Sequence, residues 1–124
     1  MIISKLLLFE GSMGEAKIMS LFDSGATYSC INPEVADKLD KPAKIRRPFK
    51  VETASKGHFI EVTYRVSLDF YIDNYHFSDE FLLIPNLSED VIIGAKTMQS
   101  WKLKLDFEKD KVIFDPKVTL IKMI

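Results

Sequence analysis

The chain has 124 residues, with 17 lysines and arginines against 18 aspartates and glutamates, a formal charge of −1. That length suits one domain with a real core, and 47% hydrophobic with 28% charged residues excludes wholesale disorder. The near-neutral balance argues against a nucleic acid or an anionic membrane held by bulk charge; the tightest basic cluster, Lys44, Arg46, Arg47 and Lys50, is short and broken by Pro48.

Cys30 is the one cysteine, which excludes an internal disulfide framework and a zinc site built on several thiolates. The apolar start, Met1 to Phe9, is interrupted by Lys5 and closed by Glu10, with no small-residue cleavage site after it. No stretch approaches the roughly 18 apolar residues of a membrane span. The expectation is a soluble, cytoplasmic protein of one domain, residues 1–124, without nucleic-acid or membrane partners.

In chain order, Ile2 to Phe9 reads as a strand, Gly11, Ser12 and Gly14 as a turn, and Glu15 to Phe22 as the returning strand of a hairpin. A polar loop, Asp23 to Thr27, follows. Asn32-Pro33-Glu34 is a helix start: a capping residue, proline at the first helical position and an acid in the first turn. Val35, Ala36 and Leu39 give that helix its buried side, and it ends near Lys41-Pro42. Ala43 to Val51 is extended, with Pro48 marking an edge strand. Thr53 to Gly57 is a loop tip. Val62, Tyr64, Val66, Leu68 and Phe70 alternate with polar residues, the pattern of a half-buried strand. Asp73-Asn74 turns it and Tyr75 to Ile84 comes back. Val91 to Ile93 is a short apolar strand ending at Gly94, and Ala95 to Trp101 makes a helical turn or two. Leu103, Leu105 and Phe107 alternate, Glu108 to Asp110 turns, and Val112 to Phe114 pairs back. The apolar tail, Val118 to Ile124, is either an interface strand or a disordered end, the strand being the favoured reading. The fold class is all-β with one or two short helices. Of the five glycines, Gly25 and Gly94 lie in no obvious hairpin turn and need another explanation.

Asp-Ser-Gly taken alone is weak, since an Asx-turn between strands explains it as well. Context sharpens it. Asp23 directly follows Leu21-Phe22, so its carboxylate leaves a buried strand. Ser24 offers a hydroxyl, and Gly25 lets backbone amides come close. Downstream, Val91-Ile92-Ile93-Gly94 supplies a second apolar strand ending in glycine, with a hairpin between the two motifs.

On these residues the chain resembles the retropepsin-like aspartic proteases of retroviruses and retrotransposons. The matching stretches are Asp23-Ser24-Gly25-Ala26-Thr27 with the run Ser29 to Leu39 after it, Asp90 to Gly94, and the hairpin starting at Leu103 to Phe107. The run from the aspartate loop into a helix is similar to the retrotransposon branch, and the likeness extends from about Ile2 to Phe114. The resemblance implies a closed β-barrel-like acid-protease fold, one lobe per chain, and an aspartic endopeptidase without metal or other cofactor. Asp23 is then the catalytic carboxylate. Ser24 braces the partner loop, Gly25, Ala26 and Thr27 complete the active-site loop, and Ile92, Ile93 and Gly94 support it from beneath. The hairpin tip of Ala54, Ser55, Lys56, Gly57 and His58 is the flap over a peptide substrate.

The chemistry needs two carboxylates about 3 Å apart sharing one proton, one acting as base on a water and the other as acid on the scissile carbonyl. The chain holds a single Asp-Ser-Gly, so the resemblance implies a homodimer with its two-fold axis between two copies of Asp23 and an acidic or mildly acidic optimum. Viral members often carry an acid after the loop and an arginine after the second glycine; Thr27 and Ala95 stand there instead, which implies a different local scaffold.

Other readings are open. The same fold can serve as a non-catalytic dimerisation or extended-peptide-binding module, and a small β-barrel can carry Asp-Ser-Gly by coincidence. Cys30 with His58 or His76 suggests a thiol protease only superficially, because the Ser-Cys-Ile context offers nothing to stabilise a thiolate. Asp69, Asp73, Asp79 and Asp90 read as strand-face and turn residues, and Trp101 as a core anchor.

Overall fold

The computed structural model describes residues 2–53 and 56–120. Strands β1 (Ile2–Gly11) and β2 (Gly14–Asp23) form an antiparallel hairpin whose register puts Ile2 opposite Asp23 and Gly11 opposite Gly14. The Asp40 carboxylate ties down the turn, accepting from the Ser12 amide and hydroxyl. β3 (Cys30–Ile31) is a two-residue strand inside what the sequence pattern reads as loop. Two residues carry too little periodicity to signal a strand; it exists because β6 and β7 lie on either side of it.

α1 (Pro33–Ala36) starts as predicted, with the Asn32 side chain accepting from the Glu34 amide at 3.0 Å. It is one turn long and gives way at Asp37 to turns that carry the chain to a fully buried Leu39, short of the predicted end near Lys41. β4 (Ala43–Glu52) and β5 (Phe59–Ile72) pair antiparallel, and β5 begins earlier than its alternation suggests because its first residues pair with β4 alone. Asp73 and Asn74, both with positive φ, make the tight turn to β6 (Tyr75–Leu83), a two-residue connection that follows strand twist. β7 (Val91–Ile93), α2 (Ala95–Ser100) and the hairpin of β8 (Lys104–Asp106) with β9 (Lys111–Ile113) complete the order.

The strands run β1-β2-β7-β3-β6-β5, and β5 closes the circle by pairing Asp69 to Tyr71 with Leu8 to Glu10 of β1. The result is a closed six-stranded barrel, with β4 attached to the portion of β5 that leaves it. Closure gives each barrel strand a neighbour on both sides over part of its length, whereas β4 pairs with β5 alone. Inside, Phe9, Phe70, Phe77 and Phe81 pack ring on ring at 5.6–5.9 Å, with Phe22, Val91 and Ile93 fully buried beside them. Trp101 caps this core edge-on to Phe77 and donates its indole N–H to the Ser78 carbonyl.

A second apolar cluster lies outside the barrel. Ile45 and Val62 of the β4–β5 hairpin pack with Leu82 and Ile84, joined by Cys30, Phe49, Val51 and Ile60. The hairpin is therefore folded against the end of the barrel where β3 and β6 pair.

The predicted interface strand at Val118 to Ile124 is corrected in its first part. Pro116–Thr119 is a 3₁₀ turn, begun by proline with the Asp115 carboxylate accepting from the Lys117 amide, and Val118 is half-buried against the core. Ile121 to Ile124 lie outside the described residues. No helix among the described residues is long and apolar enough to cross a membrane.

Candidate active site

Asp23 is the last residue of β2. Its neighbour Phe22 is locked in the core, so the chain reaches the surface at Asp23 with its direction set by the sheet. Asp23 is half-buried, and its Oδ1 accepts from the Gly25 amide at 2.9 Å while its carbonyl accepts from Ala26. Ser24, Gly25 and Thr27 are exposed and Ala26 is half-buried.

A clamp from β7 and α2 holds this loop. The Ala95 amide donates to the Ala26 carbonyl at 2.7 Å and the Lys96 amide to the Thr27 carbonyl at 3.0 Å. Beneath them the buried Ser29 hydroxyl accepts from the Gly94 amide at 3.0 Å and shares a 2.5 Å hydrogen bond with the buried Thr97 hydroxyl. A side chain at Gly94 has no room: a Cβ there would stand 2.5 Å from the Tyr28 carbonyl oxygen and 2.8 Å from that of Ala26. That close approach is why glycine ends β7. Neutral hydrogen bonds thus do the anchoring around Thr27 and Ala95. Neither Ser29 nor Thr97 stands out in the sequence, because the contact joins residues 68 apart and serine and threonine are common.

The supporting isoleucines separate. Ile93 pairs with Phe22 and is fully buried in the core. Ile92 is half-buried and registers with Leu21 on one side and Cys30 on the other, so these three share the opposite face, the one that carries Asp23. Burial, and then the negative charge of Asp23, push the Cys30 thiol up to about 11. A thiol held protonated in this way is no nucleophile. His58 is exposed at the hairpin end, and His76 pairs with Asp69 at 2.7 Å on the barrel wall and stacks on Tyr71. Neither histidine is in hydrogen-bond contact with Cys30.

Tyr28 links the loop to the hairpin. Its ring meets Phe49 of β4 at 5.8 Å, and the Lys96 ammonium lies over it, 4.8 Å from the centroid. At the far end of the hairpin the Thr53 amide donates to the His58 carbonyl, and the Gly57 amide to the Glu52 carboxylate. Gly57 has φ +83°, a backbone conformation that favours glycine. Lys56, Gly57 and His58 are exposed, while Ala54 and Ser55 lie outside the described residues. Among the described residues no cluster of three or more histidine, cysteine or acidic side chains is arranged for a metal. Two surface hollows, about 900 and 680 Å³, lie elsewhere, one lined by β1 and the β5–β6 turn and the other by the C-terminal hairpin. Neither is lined by Asp23 or its loop, which meets the β4–β5 hairpin through the Tyr28–Phe49 contact.

The model of the family described as retroviral aspartyl protease matches residues 6–119, and the chain belongs to that family. No curated protein matches it by sequence. Among solved structures it is similar to the retroviral protease-like domain of Ddi1 from Leishmania major. That match has 17% identity and a TM-score of 0.63, and it covers 90% of this chain and 89% of that one. It is also similar to EIAV protease complexed with the inhibitor HBY-793, at 18% identity and a TM-score of 0.57, covering 84% of this chain and 91% of that one. The fold is the closed β-barrel of these proteins.

Proposed function

We propose that the protein is an aspartic endopeptidase whose site is completed by a second copy of the chain, with Asp23 as the catalytic residue of each. The observation that carries this reading is the clamp: a single half-buried carboxylate at a strand end, on a loop fastened by the Ala95, Lys96 and Gly94 amides. Such fastening has a use when the carboxylate must meet another at a set distance. The exposure of Ser24, Gly25 and Thr27 around Asp23 supports the same reading, since a surface that meets a second copy is exposed in the single chain.

In the dimer the two aspartates hold one proton between them and titrate as a unit. The ionised one takes a proton from a water whose oxygen attacks the scissile carbonyl carbon. The protonated one donates to the carbonyl oxygen. The tetrahedral species then collapses, the C–N bond breaks and the amine departs with a proton. An extended peptide lies across the cleft against the apolar side of the β4–β5 hairpin, which acts as the flap. Ser24, exposed beside Asp23, braces the partner loop. Residues 1–124 form one such domain.

The test is cleavage of a diverse unstructured peptide mixture from about pH 3.5 to 7.5 at high protein concentration, wild type beside Asp23→Asn. Cuts made only by the wild type, strongest on the acid side, are expected. Silence from a wild-type protein that sediments as a dimer overturns the reading and leaves a peptide-binding module.

A further inference from the structure

The basic cluster that the sequence leaves without a role occupies one place in the fold. Lys44, Arg46, Arg47 and Lys50 all lie on β4, which ends the order of the large sheet and pairs on one side only, with β5, and all are exposed. The pairing of β4 with β5 slips between Lys44, opposite Tyr64, and Phe49, opposite Val62. Ile45 to Pro48 therefore bulge against Thr63 alone. Ile45 is buried in the outer cluster and pins the bulge, while Arg46, Arg47 and Pro48 stand out from it. None of the four cations makes an ion pair among the described residues. The carboxylates in register nearby are Glu61, opposite Lys50, and Glu52, whose oxygen takes the Gly57 amide.

The strip is continuous with the candidate active site. Phe49, between the bulge and Lys50, meets the Tyr28 ring, and the Lys96 cation covers that ring. A chain lying in the cleft beside the Asp23 loop and continuing outward along β4 would leave the apolar cluster and meet four unpaired positive charges.

We propose that the edge of β4 with its Arg46–Arg47 bulge is a docking strip for an acidic polypeptide segment, and that the preferred substrates carry a run of aspartate or glutamate flanking the cleavage site. The inference rests on the cleft reading above. A polypeptide is the occupant because a free strand edge offers main-chain N–H and C=O groups, which another extended peptide can pair and a nucleic acid cannot. The charges add selectivity: unpaired cations attract carboxylates, and an edge bearing like charge rejects basic segments.

The experiment uses the Asp23→Asn protein, so that binding is read without cleavage. Fluorescence anisotropy compares an apolar unstructured peptide with the same peptide carrying four glutamates before or after it. At low salt one glutamate version is expected to bind about tenfold tighter than the plain peptide, with the gain shrinking as salt rises. Adding Arg46→Glu and Arg47→Glu, both exposed positions, should erase the gain. Adding Lys102→Glu and Lys117→Glu, the same charge change on the C-terminal side, should leave it. Equal binding of plain and acidic peptides overturns the proposal, as does an equal loss in both charge-reversed proteins. A single-stranded oligouridylate binding more tightly than either acidic peptide overturns it in favour of nucleic acid. Cleavage of the plain peptide by the wild type reports on the protease reading separately, so either idea can fail without the other.

Discussion

Replacing Ser29 with alanine removes one oxygen atom from beneath the loop that carries Asp23. That oxygen accepts from the Gly94 amide at 3.0 Å and shares a hydrogen bond with the Thr97 hydroxyl, with all three groups buried. In the alanine variant the Gly94 N–H faces protein without a partner, at a cost of roughly 1–3 kcal/mol for a buried donor. The Thr97 hydroxyl loses its partner as well, and recovers part of the loss if it turns back to the carbonyl one helical turn earlier. Together these amount to about 3 kcal/mol. Thr97→Val is milder, about 1 kcal/mol, because the Ser29 oxygen still receives the Gly94 amide. The double variant should cost less than the two added together, since the single changes count the shared hydroxyl bond twice. Urea unfolding at one fixed protein concentration reads all three, the concentration being held because any dimer adds to apparent stability. With a slope of about 2 kcal/mol per molar for a chain of this size, Ser29→Ala should lower the midpoint by about 1.5 M. A shift under about 0.2 M, or Thr97→Val proving the costlier change, would refute the reasoning.

Two further outcomes follow from the charges. Cys30, held up to about 11 by burial and by Asp23, should react slowly with a maleimide at pH 8, and Asp23→Asn should speed alkylation by removing the charge that favours the protonated thiol; an unchanged rate would separate the two side chains. Because the thiol's value is raised in the folded state, its stability contribution is complete below the ordinary value near 9 and is lost as pH rises towards 11. Asp40 behaves in the opposite sense. Hydrogen bonds from the Ser12 hydroxyl and amide, aided by the Lys41 amide, lower its pKa, so its contribution is present above the ordinary carboxylate value and is lost as pH falls through the lowered one. Urea midpoints between about pH 2 and 5 should therefore fall less steeply in Asp40→Asn than in the wild type, and parallel curves would show that the turn does not draw on that charge.

Much of the architecture was legible in local chemistry. The hairpin turns at Ser12 and at Asp73-Asn74, the cap at Asn32 and the alternation along β5 are each decided by a few neighbouring residues, so residue type and spacing suffice to read them. The Asp-Ser-Gly loop and its glycine-ended partner strand were legible as motifs for the same reason. Their relation was not, because β7 reaches β2 only by passing between β2 and β3, a pairing that involves residues far apart in the chain.

Tertiary packing alone decided the rest. Cys30–Ile31 is a strand because β6 and β7 flank it, not because two residues favour one. Val118 turns into a 3₁₀ segment and packs on the core, where an apolar run by itself reads as a strand. Ile92 and Ile93 are alike in sequence, yet the pleat sends one into the barrel and leaves the other on the face of Asp23. The Ser29–Thr97 pair has no local signature, since two small hydroxyls become informative only when burial denies them water. By itself the sequence determined which residues can carry the chemistry; the closed barrel decided which of them meet, because a buried polar group must find its partner wherever the fold has placed one.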